Sequence, residues 1–225
     1  MGRILMWEAV SFSVARAGHE RGVLMRRSLI LVIVLLFLGG SACSGSLEGN
    51  GDVVTETRTV SDFDIVRADN GVQVSLAVDP AATGDVVLTV TTDSNLQEFL
   101  ITEVTGSTLR VAPDRSGGVT PSGAFDVSGT VDIVTDVSVD NGAQVEIAGS
   151  LSDVTLSADN GAQIDGEQLE TTTATIDADN GAKISVCLSG TATGEVKNAA
   201  NLKVLCGGST SGVETSDGGA VSVAP

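Results

Sequence analysis

The chain has 225 residues, with 27 glycines, 4 prolines and no tyrosine, a composition of small side chains and turns that fits one or two domains not packed around aromatics. Its formal charge is −17, and from Cys43 onward 7 basic residues face 27 acidic ones, a charge of −20. That balance excludes nucleic acid as a partner, because phosphate binding needs clustered Lys and Arg, and it predicts a solvated acidic exterior that gathers divalent cations loosely.

Residues 1–24 show no clear period and place Glu8, His19 and Glu20 ahead of an otherwise ordinary export signal. They read as an upstream extension from a start assigned too early, with Met25 as the initiator, against a true cytoplasmic extension before a signal anchor. Residues 25–42 read as the signal peptide: Met25, Arg26 and Arg27, an apolar run from Leu29 to Leu38, then Gly39, Gly40, Ser41 and Ala42. The run is too short for a comfortable membrane span, which takes about 20 residues. Ser41-Ala42-Cys43 resembles a bacterial lipoprotein signal, in which the cysteine becomes the first mature residue and carries lipid. Gly40 departs from the usual Leu three places before it, so cleavage after Ala42 without lipid stays open. Lipidated Cys43 would begin a flexible tether over residues 43–57, anchored firmly by multiple acyl chains.

Residues 58–225 are expected to form the head domain. Its first part, 58–115, carries alternating segments at Phe63 and Ile65, at Val72, Val74 and Leu76, at Val86, Leu88 and Val90, and at Leu109 and Val111, the period-two pattern of strands. Asn95 to Leu100 reads as a brief helical turn or irregular edge. Residues 117–123, with Pro121, read as a surface loop.

The second part, 124–225, repeats a turn. Asp140-Asn141-Gly142, Asp159-Asn160-Gly161 and Asp179-Asn180-Gly181 are followed by degenerate copies at Asn198-Ala199 and Asp217-Gly218, and positions 142, 161, 181, 199 and 218 lie 19, 20, 18 and 19 residues apart. Asp69-Asn70-Gly71 carries the same signature in the first part. Short alternating arms flank each turn. This pattern predicts an all-β fold, a parallel β-helix or β-solenoid with short coils of about 19 residues, with a stack of Asn-Gly hairpins as the rival. Glycine admits positive φ at the corner, and Asn tolerates it or bonds locally. Asn141, Asn160, Asn180 and Asn198 are placed to form a ladder of amides. Asp140, Asp159 and Asp179 would form a column of like charges at strand spacing, which raises a calcium row as an alternative to turn capping; the nonapeptide rhythm of calcium-binding β-rolls is missing, and no metal site is assigned.

Cys187 and Cys206 are 19 residues apart in comparable strands, Ile184-Ser185-Val186-Cys187 and Leu202-Lys203-Val204-Leu205-Cys206. One period apart, they are placed for a disulfide, which persists outside the cytoplasm. Two separate buried thiols are the alternative.

Together, Ser61-Asp62-Phe63-Asp64-Ile65, Gly71-Val72-Gln73-Val74, the Asp93-Ser94-Asn95-Leu96 segment leading to Leu109-Arg110-Val111, and the Gly-Ala turns resemble the putative autotransporter adhesin head GIN domain family of bacterial envelope proteins. The resemblance runs from about Val60 to Val223. It implies a β-helical extracytoplasmic domain, often behind a lipoprotein signal, and brings no catalytic or binding residues.

No reaction centre assembles from this sequence. His19 is the one histidine and precedes the mature chain, so a His-dependent triad or zinc centre is not available. Acid pairs occur everywhere and identify nothing. No phosphate-cradling loop is present, and beyond Cys43 the aromatics are Phe63, Phe99 and Phe125, a poor sugar platform for a hydrolase. No cofactor is expected. The sequence reads as a non-catalytic, envelope-anchored structural or surface-interaction module, with a small-ligand-binding or stress-sensing accessory lipoprotein as the other class. The expected partners are membrane lipid through the anchor, and cell-wall polymer or another envelope protein.

Overall fold

The computed structural model describes residues 45–114 and 118–224; the upstream extension, the signal peptide and Cys43 lie outside the described residues. Residues 44–225 form one compact unit. Its strands are β1 (Leu47–Glu48), β2 (Val53–Val60), β3 (Ile65–Ala68), β4 (Gln73–Val78), β5 (Val86–Asp93), β6 (Leu100–Thr105), β7 (Thr108–Pro113), β8 (Val119–Thr120), β9 (Asp126–Val131), β10 (Asp136–Val139), β11 (Gln144–Ala158), β12 (Gln163–Ala178), β13 (Lys183–Val196), β14 (Asn201–Leu205), β15 (Ser209–Thr215) and β16 (Ala220–Val223), with a 3₁₀ turn at Gln97–Phe99. The stretch expected to be a tether, 43–57, holds β1 and most of β2 in its described part.

β1 and β8 form a small parallel pair, and the other fourteen strands form one sheet. That sheet is mixed and curls through 292° into a nearly closed barrel, which corrects the expected parallel β-helix and its array of repeated coils. The reason lies in the first part of the chain. β2 pairs antiparallel with β5, β5 with β9, and β6 with β7. Period-two alternation carries no information on the direction in which a strand pairs. The Asp69 turn also stacks beneath the Asp140 turn, through β3 and β10, and not beside a turn near it in sequence.

The second part does pair in parallel. β11, β12 and β13 are 15, 16 and 14 residues long, and each bends so that its two ends lie in opposite walls. Gly194 marks the bend in β13: its φ is +121°, and a Cβ there would run into the backbone oxygen of Ile176. The register shifts between Glu146 and Ala148 and between Thr171 and Thr173 absorb the same curvature.

Inward columns follow from the register. Val74, Val145, Ile164, Ile184 and Leu202 stack on one wall, and Ala68, Val139, Ala158, Ala178 and Val196 on the other. All are buried. Each large aliphatic side chain removed from water contributes roughly 1.5–3 kcal/mol, against about 1 kcal/mol for a typical hydrogen bond, so the columns hold the barrel and the turns set its register.

Cys187 and Cys206 are joined by a disulfide, with their Cα atoms 5.1 Å apart. It ties the first half of β13 to the residue after β14 and restrains the unfolded chain by roughly 2–4 kcal/mol.

At each complete turn both central residues have positive φ, 50° and 73° at Asn141-Gly142 and 46° and 74° at Asn180-Gly181. This is the type I′ geometry for which Asn-Gly is suited. Ala199 occupies the glycine place of its turn at φ 63°, where its Cβ is strained. Ala199→Gly is therefore expected to stabilise the domain by about 0.5–1 kcal/mol, read as a higher denaturation midpoint at unchanged m-value.

Candidate interaction surface

The Asp-Asn-Gly turns meet along one edge of the barrel. Asp69, Asp140, Asp159 and Asp179 fall one above another, with Lys197 and Ser216 in the next two places. The side-chain ladder along this edge differs from the expected amide-to-amide one. Asn141 donates from Nδ2 to Asp69 Oδ1 at 2.8 Å, Asn160 to Asp140 at 2.8 Å, Asn180 to Asp159 at 2.8 Å and Asn198 to Asp179 at 2.6 Å. Within the turn, the backbone N–H of Asn141, Asn160 and Asn180 donates to the Oδ1 of the preceding aspartate at 2.6, 2.6 and 2.7 Å. A carboxylate is the stronger acceptor, so each amide reaches for the acid of the turn below. The acids are thereby separated by donors, which relieves the like-charge column.

Lys197 ends the acid column. Its ammonium lies 3.3 Å from Glu195, 3.7 Å from Asp177 and 3.8 Å from Asp179. The hydrogen bond to Glu195 first, and the charge of Asp177 next, hold its pKa above the ordinary lysine range. Asp140, Asp159, Asp177 and Asp179 line a shallow depression of about 230 Å³ beside this edge. Among the described residues no group of three or more His, Cys, Asp or Glu is arranged to hold a metal ion. The turn residues Asp69, Asn70, Gly71, Asp217 and Gly218 complete the same edge at its two ends.

A continuous polar surface covers the outer side of β9, β4, β11, β12, β13 and β14. Across it the register sets Asp126, Gln73, Gln144, Gln163, Lys183 and Asn201 in one row, and Ser128, Ser75, Glu146, Asp165, Ser185 and Lys203 in the next. Neighbours along a row are separated by the strand spacing of about 4.8 Å. The face carries two open depressions: one of about 630 Å³ lined by Ser75, Thr89, Ser128, Thr130 and Glu146 among others, and one of about 290 Å³ that includes Gln163, Lys183, Asn201 and Lys203. Lys203 pairs with Glu167 at 2.7 Å. No motif marks this face in the sequence, because its residues become a row only once the parallel register is known.

Two further polar centres lie outside the sequence-predicted sites, one half-buried at Arg58 and one buried at Asp93. Arg58 donates from Nη1 to Leu100 O at 2.5 Å and Thr102 Oγ1 at 3.2 Å, and from Nη2 to Gln97 O at 2.7 Å and Gln97 Oε1 at 3.1 Å. It stitches β2 to the 3₁₀ turn and β6. Asp93, only 1% exposed, holds the segment before β2. Its Oδ1 accepts from Gly51 N–H at 2.7 Å and Ser122 Oγ at 2.7 Å, and its Oδ2 from Ser122 N–H at 2.8 Å. Asn50 and Asn95 lace the same segment together, Asn50 N–H to Asn95 Oδ1 at 3.1 Å and Asn95 Nδ2 to Glu48 O at 2.9 Å. Gly49 leaves room for the carboxylate: a Cβ there would overlap Asp93. The Asp93-Ser94-Asn95 sequence motif is this clasp, and only the partners 42 and 29 residues away in Gly51 and Ser122 reveal what it does.

The Ser122 backbone N–H first, then its hydroxyl, hold the Asp93 carboxyl below the usual carboxylate range against the opposing cost of burial. A depressed folded pKa means that the contribution is present above the unfolded value, about 3.9, and is lost as pH falls through the folded value. The Gly51 and Ser122 amide resonances are expected to titrate together with a midpoint below about pH 4. Asp93→Asn, whose Nδ2 would face a donor, is expected to speed hydrogen exchange over 45–52 at neutral pH; unchanged exchange there, or a midpoint above that of an ordinary aspartate, would contradict the clasp.

None of the curated proteins matches the chain. Among solved structures, a protein described as a putative adhesin from Bacteroides fragilis NCTC 9343 is 12% identical with a TM-score of 0.50, the match covering 79% of this chain and 99% of that one. A protein described as a putative lipid binding protein from Parabacteroides distasonis ATCC 8503 is 14% identical (TM-score 0.39, 80% and 100% covered), and a putative adhesin from Parabacteroides merdae ATCC 43184 is 12% identical (TM-score 0.38, 80% and 100% covered). At such identities the likeness to the Bacteroides fragilis protein is one of fold. Residues 118–208 match the family described as "Putative auto-transporter adhesin, head GIN domain", the family that the opening segment, the Asp-Ser-Asn-Leu motif and the Gly-Ala turns of this chain resemble.

Proposed function

We propose that this protein is an extracytoplasmic envelope module that holds an extended polar polymer, of the cell-wall kind, against the outer face of β9, β4, β11, β12, β13 and β14. The observation that carries this reading is the row of amide, hydroxyl and charged side chains at strand spacing from Asp126 to Asn201. Evenly spaced donors and acceptors on an open face suit many weak contacts along a chain of sugars or peptide. A small-ligand site is instead concave and mostly apolar, with a few polar groups that fix one orientation. The family match supports a non-catalytic, adhesin-like domain that works by surface or protein contacts at the envelope.

The test is retention on purified wall glycan. The combined variant Gln144→Ala, Gln163→Ala and Asn201→Ala is expected to lower retention at least about tenfold, since each polar contact is worth about 0.5–1.5 kcal/mol and their sum exceeds the 1.4 kcal/mol of a tenfold change. Ser157→Ala, on the opposite wall, should leave retention unchanged. Equal retention by the triple variant, or none by the parent chain, would overturn the assignment of this face.

Attachment through Cys43 belongs to the same proposal, resting on Ser41-Ala42-Cys43 at the end of the apolar run. Protein extracted from membranes should carry a diacylated or triacylated Cys43 at its N-terminus by intact-mass analysis. An unmodified N-terminal Cys43 would remove the lipid anchor from the proposal.

A further inference from the structure

Of the five Asn-Gly pairs, Asn50-Gly51 lies in the Asp93 clasp, where Asn50 Nδ2 donates to Ser94 Oγ at 2.9 Å and Gly51 N–H to Asp93 Oδ1 at 2.7 Å. The other four share a turn geometry, yet the ladder does not hold them equally. At Asn160 the side-chain amide is bonded to Asp140, the backbone N–H to Asp159, and the N–H of Gly161 to Asn180 O at 3.0 Å. Asn180 is held in the same three ways, through Asp159, Asp179 and the bond from Gly181 N–H to Asn198 O at 2.9 Å. Asn141 has two of the three, to Asp69 and Asp140. Asn70 lies at the bottom of the column, and among the described residues no turn beneath it supplies an aspartate. It is exposed at φ 58°, and neither its side-chain amide nor the N–H of Gly71 has an acceptor among the described residues.

These bonds engage the two groups that react in asparagine deamidation. The glycine amide nitrogen, losing its proton to solvent base, attacks the asparagine Cγ. The new N–Cγ bond forms as the Cγ–Nδ2 bond breaks and ammonia leaves, giving a five-membered succinimide. Water then opens one of the two ring C–N bonds, yielding aspartate or isoaspartate. Glycine permits the reaction because it lacks a Cβ to obstruct ring closure, and asparagine is among the chemically labile side chains. An amide held by a carboxylate must first be released and rotated, and a glycine N–H held by a carbonyl must first lose that bond.

We infer that Asn70-Gly71 is the site of spontaneous modification in this protein, and that the Asp–Asn ladder protects Asn160-Gly161 and Asn180-Gly181 from the same reaction. Asn141-Gly142, with its side chain held and its glycine N–H not, falls between them. The product at residue 70 adds a negative charge beside Asp69 and, as isoaspartate, lengthens the turn backbone by one atom. It leaves every ladder bond from Asn141 upward in place.

The experiment incubates the folded mature chain in mildly alkaline buffer and follows each Asn-Gly peptide by its amide-to-acid mass increment and by enzymatic isoaspartate labelling. Asn70 is expected to convert first, with Asn160 and Asn180 at least about tenfold slower, the size of effect expected for losing two or more hydrogen bonds on the way to reaction. In denaturant the five rates should converge. Conversion of Asn160 or Asn180 as fast as Asn70 in the folded chain would overturn the inference, as would a difference that survives unfolding. Asp159→Ala removes the acceptor of Asn180 Nδ2 and of Asn160 N–H and is expected to accelerate both against the Asn70 rate as internal reference. If that variant instead unfolds, all five sites convert together as in denaturant, and the ranking in the parent chain decides.

Discussion

The hydrogen bond from an asparagine side chain to the aspartate of the turn beneath fixes how this domain is put together. Each such bond is modest, about 1 kcal/mol where water competes. Its importance is geometric. The bond forms only if successive turns stand directly above one another, and that in turn places Val, Ile, Leu and Ala of adjacent strands in inward columns. A slip of one residue would break the ladder and send the aliphatic side chains to the outer face. Local turn chemistry and the hydrophobic columns therefore demand the same register, the agreement between levels that lets a sequence specify one structure.

That agreement is why part of the architecture was legible in the sequence. The period of 18–20 residues located the turns, their positive-φ corners and the neighbouring cysteines, and the disulfide follows from two strands one period apart. The overall fold was not legible. The β-helix expectation treats every strand as a continuation of the same winding, whereas β2, β5, β6 and β9 enter antiparallel and close the sheet into a barrel. The alternate threonines Thr55, Thr57 and Thr59 of Val53–Val60 look the same whichever way the partner runs.

The surfaces were hidden for a related reason. Gln73, Gln144, Gln163 and Asn201 are ordinary exposed polar residues in sequence and become a row through pairings that bridge 71, 19 and 38 positions of chain. Asp93 shows the opposite case: its motif stands out, but a buried carboxylate declares its role only through the N–H groups it captures. Without those donors burial would favour its protonated form.

The ladder also has a chemically defined end. An added turn would need an aspartate below it and an asparagine of its own, yet Lys197 replaces the aspartate and Asp217 the asparagine. Lys197 offers a donor where an acceptor is required, and it is already engaged by Glu195, Asp177 and Asp179. β16 beyond it is an edge strand with exposed Val223, the kind of edge that invites pairing with another chain. Backbone hydrogen bonds alone would permit that addition; the ladder would gain no bond from it. By exchanging an acceptor for a cation and a donor for an acid, the last two turns withhold the side-chain register that every earlier pair of turns shares, so the same interaction that aligns the barrel stops at its edge.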